Sequence, residues 1–320
     1  TFGASGCAEP DRGSDLDTPV ASGGYAWWYV DALSDDGRFG LSLIAFVGSV
    51  FSPYYAHGRR RGRADPENHV AINIALYGEG GYRWAMTERG RRSLSRTPNL
   101  LQIGPSRLLR SGSAWHAQLD EICVPVPRRI RGSFTVEPLA YGRQTYMLDD
   151  CGRHMWRPLA PRARMTVMLE DPRLTWSGPA YVDHNRGTEP LEAAFSRWSW
   201  SRSVETDRTV IFYDAKMRSG ASKEHHIAVG ADGAPTPLAA PPMASLGQSL
   251  WRLPVEVRTD AGSTPERIAT WEDGPFYART LVRHLVGGTP VTSIHEALSL
   301  DRFKRRTVQM LLPFRMPRRS

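Results

Sequence analysis

Apolar and polar positions alternate with a period of two along much of this chain. Val70, Ile72, Ile74 and Leu76 set the pattern, with smaller or polar residues between them. Such alternation predicts strands, because successive strand side chains point to opposite faces. Tyr25–Leu33 is aromatic and extended in character. Ser34, Asp35, Asp36 and Gly37 form a turn signal, and Phe39–Phe46 reads as the return strand of a hairpin. Val50 to Tyr55 is a mixed apolar and aromatic stretch. Further strands are predicted at Arg83–Thr87, Ser106–Leu109, Ala114–Asp120, Ile130–Val136 and Ala163–Leu169. Later ones fall at Phe195–Arg202, Thr209–Ala215, Val255–Arg258, Arg267–Trp271 and Ala278–Leu285. Residues 294–300 read as a last strand or a short helix capped by Ser293. Residues 230–246, rich in Ala, Pro and Gly, read as a loop. Helical periodicity is scarce, so the fold class is all-β, a sandwich or barrel with few short helices.

Residues 1–22 are polar and read as a loose lead-in. Pro158 and Pro161 break the pattern, which places a domain boundary near residue 160. The expected units are 23–160 and 161–320. A short internal repeat supports them. Trp27, Trp28 and Tyr29, a polar turn and an apolar return strand recur as Trp198, Trp200, a turn at 205–208 and Val210–Phe212, about 171 residues later.

The stretch Trp176 to Glu192 carries the candidate chemistry. Tyr181 and Asp183 lie two apart, on one face of an extended segment. Gly178, Pro179, Gly187 and Pro190 bracket it, so it reads as a short strand between turns. A carboxyl among aromatic rings is an acid site if that face is dry; an Asp capping a turn or pairing with Arg186 is the alternative.

Composition narrows the classes. The 320 residues are 41% hydrophobic and 23% charged, which is globular and not disordered. Lys plus Arg number 41 against 33 Asp plus Glu, nearly all of the positive charge being Arg. That surplus favours anionic surfaces. Arg59–Arg63 has no interleaved aromatic, so nucleic acid is not expected there; a solvated or lipid-facing loop is. Cys7, Cys123 and Cys151 are widely spaced and form neither a metal-ligand pattern nor a disulfide framework, as in a reducing compartment. Gly78–Gly81 is a hairpin turn and not a phosphate loop. No apolar run spans a bilayer, and Thr1–Asp11 does not read as a signal peptide. Ten Trp are a rich supply for lining an apolar cavity.

Several longer stretches are more specific. Trp27–Arg38, Gly40–Tyr55, Trp84–Gly90, Ile103–Ser106, His154–Pro158, Tyr181–Asn185, Pro190–Glu192 and Leu311–Arg318 together closely resemble the carotenoid 1,2-hydratases, or hydroxyneurosporene synthases. The resemblance covers roughly residues 24 to 318. It implies two tandem lipocalin-like β-domains and cofactor-free addition of water to the terminal double bond of an acyclic carotene such as neurosporene or lycopene. Relatives with this fold include pericyclic cyclases. A lipid carrier of the same shape is the non-enzymatic alternative.

Hydrating an isoprenoid end puts a proton on C2 and leaves a tertiary cation at C1, which water captures. The acid must stay protonated near neutral pH, which a desolvated pocket achieves. Asp183 is the expected acid and Glu192 the runner-up; Glu121 and Glu189 compete. Tyr181 orients the acid or the water. His154 and Trp156, also two apart, are expected to hold the water and to shield the cation. Trp28, Tyr55, Trp84, Trp200 and Asn185 are expected to line the substrate. Asp35–Asp36 and Asp149–Asp150 read as solvated turn pairs. His225–His226 is no metal pair, because neighbours on a strand face apart and no third ligand is near. The expected setting is cytoplasmic and peripheral on the inner or intracytoplasmic membrane, with Arg59–Arg63 and the tail Arg302–Arg319 touching headgroups.

Overall fold

The computed structural model describes residues 15–79 and 81–319. Cys7, Gly80 and residues 1–14 of the lead-in lie outside the described residues. The chain is built almost entirely from antiparallel strands in two large sheets and a two-stranded one.

The first sheet has thirteen strands. Its order runs from Arg83–Arg89 through Val70–Gly78, Phe39–Val47 and Tyr25–Leu33 to Leu174–Gly187. It continues through His154–Asp171, Arg129–Ala140 and Ala114–Ile122. The sheet curls, so that Arg89 from one end donates to Glu121 near the other at 2.7 Å. Its concave face buries Trp28, Val30, Ile72, Ile74, Phe134 and Val182. The second sheet has seven strands, among them Phe195–Val204, Thr209–Met217, Tyr277–Val286 and Thr289–Ser299. It packs against the outer face of the first. The layer between them holds Tyr25, Trp27, Tyr29, Tyr181, Trp198 and Trp200.

This packing explains why Tyr25–Leu33 is apolar throughout. Even-numbered residues fill the inside of the curled sheet and odd-numbered aromatics face the second sheet. A strand buried on both faces reads as a continuous run.

The repeat acquires a physical meaning here. Trp27 meets Trp198 with ring centroids 6.0 Å apart, and Tyr29 meets Trp200 at 5.5 Å. Asp31 pairs with Arg202, again 171 residues away, at 2.6 Å. Equivalent positions of the two halves touch one another.

Several expectations need correction. Residue 160 lies inside the continuous strand His154–Asp171. Pro158 and Pro161 sit where its pairing with Leu174–Gly187 slips, between Pro158 and Ala160 and between Ala160 and Ala163. A bulge leaves ladder positions unpaired, so prolines fit there without ending the strand. The change of sheet comes later, between Gly187 and Phe195. The Tyr181 strand is longer than expected and contains Gly178 and Pro179. From Asp15 onward the lead-in is held: Leu16 is fully buried, and Arg110 bonds Asp15. Arg59 and Arg60 end the helix Pro53–Arg60, whose first turn is capped by Ser52. Residues 294–299 are strand, and the helix that follows, Leu300–Phe303, is capped by Ser299 in place of Ser293. The loop 230–246 contains the short strand Pro235–Pro237 and the start of Met243–Gln248.

Gly178 shows why the strand pattern is broken. A Cβ built there would lie 1.9 Å from the Leu33 carbonyl oxygen. Gly178→Ala is therefore expected to lower unfolding free energy by about 1–3 kcal/mol, read by urea denaturation. An unchanged midpoint would show that the two strands part without cost.

Candidate active site

Pairing register brings the candidate residues together. Tyr29 lies opposite Asp183, Asp31 opposite Tyr181, and Trp27 opposite Asn185. On the other side Trp156 lies opposite Asn185. All project into the layer between the sheets, because cross-strand partners share a face.

Asp183 is 4% exposed and sits among neutral donors. Its Oδ2 accepts from the Tyr181 hydroxyl at 3.0 Å and from the Trp156 indole N–H at 3.0 Å; its Oδ1 accepts from the Asn185 amide at 2.9 Å. Tyr213 donates to Asn185 Oδ1 at 3.3 Å. Burial raises the Asp183 pKa well above the usual carboxylate range, against the opposing pull of the Trp156 and Tyr181 hydrogen bonds. The other fully buried acids differ. Asp31 has Arg202, Glu88 has Arg318, Glu121 has Arg89 and Asp149 has Arg153. Burial without a cation at hydrogen-bond distance favours the neutral carboxyl, and the three donated bonds oppose it.

Aromatic faces surround this carboxyl. Trp200 stands 5.4 Å from Tyr181, Tyr29 stands 6.2 Å from Tyr181, and Tyr213 stands 5.0 Å from Trp156, between centroids. Next to them lies a largely apolar cavity of about 120 Å³, walled by Trp27, Tyr29, Trp84, Trp198, Phe276 and Met316. Asp183 is one aromatic layer behind that wall.

Other carboxyls, Glu272, Asp273 and Glu296, line the cavity itself. Glu296 accepts from the Tyr29 hydroxyl at 3.0 Å and from Arg279. Burial raises its pKa, and Arg279 opposes that shift. Glu296, Arg279, Tyr29 and Asp31 were not foreseen. Tyr29 could have been, from its two-residue spacing to Trp27. The Glu296–Arg279 pair comes from strands whose register no local pattern reveals.

The structure gathers Asp183, Tyr181, Trp156, Asn185 and Trp200, and sets Trp84 on the cavity wall with Arg315 4.3 Å above its ring. It does not gather the rest. His154 is fully buried, with Nδ1 at 3.0 Å from the Tyr25 hydroxyl and Nε2 at 3.4 Å from Glu189. Both nitrogens are thus engaged away from Asp183, and burial lowers its pKa. Trp28 faces the concave core and stacks on His184 at 4.8 Å. It lies on the opposite side of its strand from Asp183. Tyr55 donates to the Gly24 carbonyl at 2.8 Å and stacks on His69, outside the cavity. Glu192 is paired with Arg59 at 2.7 Å, also away from it.

Asp149 is fully buried and accepts from the Arg153 and His154 backbone N–H groups, so it is not the solvated turn residue expected. His226 does have acidic neighbours, Asp214 at 2.8 Å and Glu224 at 4.0 Å. Arg258 already bridges those carboxylates, at 2.6 and 3.1 Å, and supplies the positive charge.

Residues 43–320 match the family model described as carotenoid hydratase CrtC. An acyclic carotenoid 1,2-hydratase of Thiocapsa roseopersicina is 47% identical, aligned over 99% of this chain and 78% of its own. One from Rubrivivax gelatinosus is 48% identical over 95% of this chain and 76% of its own. Among solved structures, kievitone hydratase from Nectria haematococca superposes with a TM-score of 0.55 at 11% identity, covering 89% of this chain and 93% of that one. A protein of Nitrosomonas europaea described as AttH gives 0.60 at 12% identity, covering 90% and 98%. At such identities these structures speak to the fold alone, which is lipocalin-like.

Proposed function

The chain belongs to the carotenoid hydratase family, and from that premise we propose that it adds water across the terminal C1=C2 double bond of an acyclic carotene such as neurosporene or lycopene. The observation that carries the mechanism is Asp183, a carboxyl buried among neutral donors and aromatic rings.

Asp183 gives its proton to C2, directly or through the Tyr181 hydroxyl to which it is bonded. The electron pair of the double bond forms the new C–H bond and leaves a tertiary cation at C1. Ring faces of Trp200, Tyr29 and Tyr181 stabilise that cation, each by as much as about 2 kcal/mol when water is excluded. Glu296 and Tyr29 hold the water at the cavity wall, in place of His154, whose ring nitrogens face Tyr25 and Glu189. The water oxygen bonds C1, and its spare proton goes to Glu296; a further water then carries a proton from Glu296 to Asp183 and restores the acid. The isoprenoid end reaches Asp183 when the Trp198 ring turns aside, while Tyr29 stays held by Asp31 and Glu296. Proton and oxygen both come from the site and from water, so the route asks for no cofactor.

Incubation with detergent-dispersed lycopene in isotopically labelled water should yield a tertiary alcohol carrying the labelled oxygen at C1. Recovery of unchanged carotene would mean a carrier, and an isomer of unchanged mass would mean a cyclase. Either result sinks the hydratase reading.

The substrate is insoluble in water. Among the described residues no helix is long and apolar enough to cross a membrane. We propose that the enzyme works as a peripheral protein, taking carotene from the cytoplasmic face of a bilayer.

A further inference from the structure

Exposed apolar side chains scattered singly on a surface need no explanation, but grouped ones do. Here Leu250 is 92% exposed, Phe314 75% and Met310 65%, with Trp251 and Leu311 about half exposed. These five stand on two segments, and both border the apolar cavity. The Leu250 backbone N–H donates to Asp273 at 2.6 Å, and Asp273 lies on the cavity rim. Leu311 and Phe314 are interleaved with Leu312, Arg315 and Met316, which line the cavity. Arg302, in the helix Leu300–Phe303, donates to the Trp251 and Arg252 carbonyls at 2.7 Å each.

Positive charge predominates around this patch, with Asp273 and Asp301 as its acidic neighbours. Residues 302–319 contain no acidic side chain. Arg302, Arg315 and Arg318 are engaged within the protein, but Lys304, Arg305 and Arg306 are exposed. Lys304, Arg306 and Met310 also line a cleft whose far wall is Arg60, Arg61 and Arg63. An apolar rim flanked on one side by exposed cations fits an anionic bilayer: hydrocarbon for the rim, headgroups for the cations.

We propose that this face is the membrane-docking surface of the enzyme. Leu250, Trp251, Leu311 and Phe314 enter the acyl boundary, and the cavity mouth between them opens onto lipid. The proposal rests on the reading of the substrate as a membrane-dissolved polyene and makes one stretch of chain both cavity wall and anchor.

The test is co-sedimentation of the full chain with phosphatidylglycerol–phosphatidylcholine vesicles, without carotene. The wild type should bind, and binding should weaken with salt. Leu250→Ser/Leu311→Ser/Phe314→Ser should lower vesicle affinity by roughly tenfold or more, while Leu139→Ser/Met168→Ser, exposed apolar positions on the first sheet, should bind as wild type. Turnover of detergent-dispersed lycopene should be unchanged in the triple variant, and turnover from vesicles should fall. Wild-type binding that survives the triple change, or absent binding with concentration-dependent dimerisation, overturns the proposal. If detergent-dispersed lycopene is not hydrated, the hydratase reading fails, whatever the vesicles show.

Discussion

An Asp183→Asn variant is expected to fold, to bind carotene and to turn over at least about a hundredfold more slowly, the contribution of a well-placed general acid. The substitution keeps shape. The new amide oxygen can accept from Trp156 and Tyr181, as Asp183 Oδ2 does. The new amide nitrogen then meets Asn185, whose own amide must flip to accept. Tyr213 now donates to Asn185 and can rotate its hydroxyl to accept in return. The network survives, and what goes is the transferable proton. The wild-type rate should fall as pH rises through the elevated Asp183 pKa, because the acid form is the active one. Stability follows the same sign. The contribution of protonated Asp183 is complete below the ordinary carboxylate pKa and is lost as pH rises through the raised one. The residual activity and the stability of the Asn variant should both lack that dependence. Tyr181→Phe should cost less if its ring alone matters and nearly as much if its hydroxyl carries the proton. A folded Asp183→Asn variant with near-normal hydration would remove Asp183 from the chemistry and turn attention to Glu296, a buried carboxyl on the cavity wall.

How far the site was legible depended on which distances were local. Tyr181, Asp183 and Asn185 are spaced two apart on one strand, so their shared face follows from strand geometry. Trp156 followed in the same way from its own motif, and register then placed it beside Asn185. Trp28 was misplaced because its strand is buried on both sides, and an unbroken aromatic run does not tell which face meets the ligand. His154 shares a strand face with Trp156 but sits two residues further along, where Tyr25 and Glu189 claim its nitrogens. Arg202, Glu296 and Arg279 carried no signal, because their partners lie on other strands and a charged residue in a strand reads as a solvated one. Pro158 and Pro161 looked like a boundary, since a bulge in a long strand and a break between strands leave the same mark in sequence.

The Asp31–Arg202 pair is expected to give the largest loss of stability from a single side chain. Both groups are almost fully buried, and their 2.6 Å contact joins the two sheets. Removing one partner leaves the other as an uncompensated charge in a dry layer, at a cost of about 3–5 kcal/mol. Arg202→Met should therefore lower the urea midpoint sharply. Tyr29 shares its one hydroxyl proton between Asp31 Oδ2 at 2.9 Å and Glu296 at 3.0 Å, and a phenol cannot neutralise a carboxylate. Asp31→Asn/Arg202→Met removes both charges and should recover most of the loss, since it leaves no ion without its partner. A loss under about 1 kcal/mol in the single variant, the size expected of an exposed pair, would mean that water reaches Asp31. The pair also bears on the chemistry, because the Arg202 guanidinium lies 5.7 Å over the Tyr181 ring. If the double variant is stable yet slow, the pair positions Tyr181 against Asp183. If it is stable and fast, the pair serves only to hold one sheet against the other.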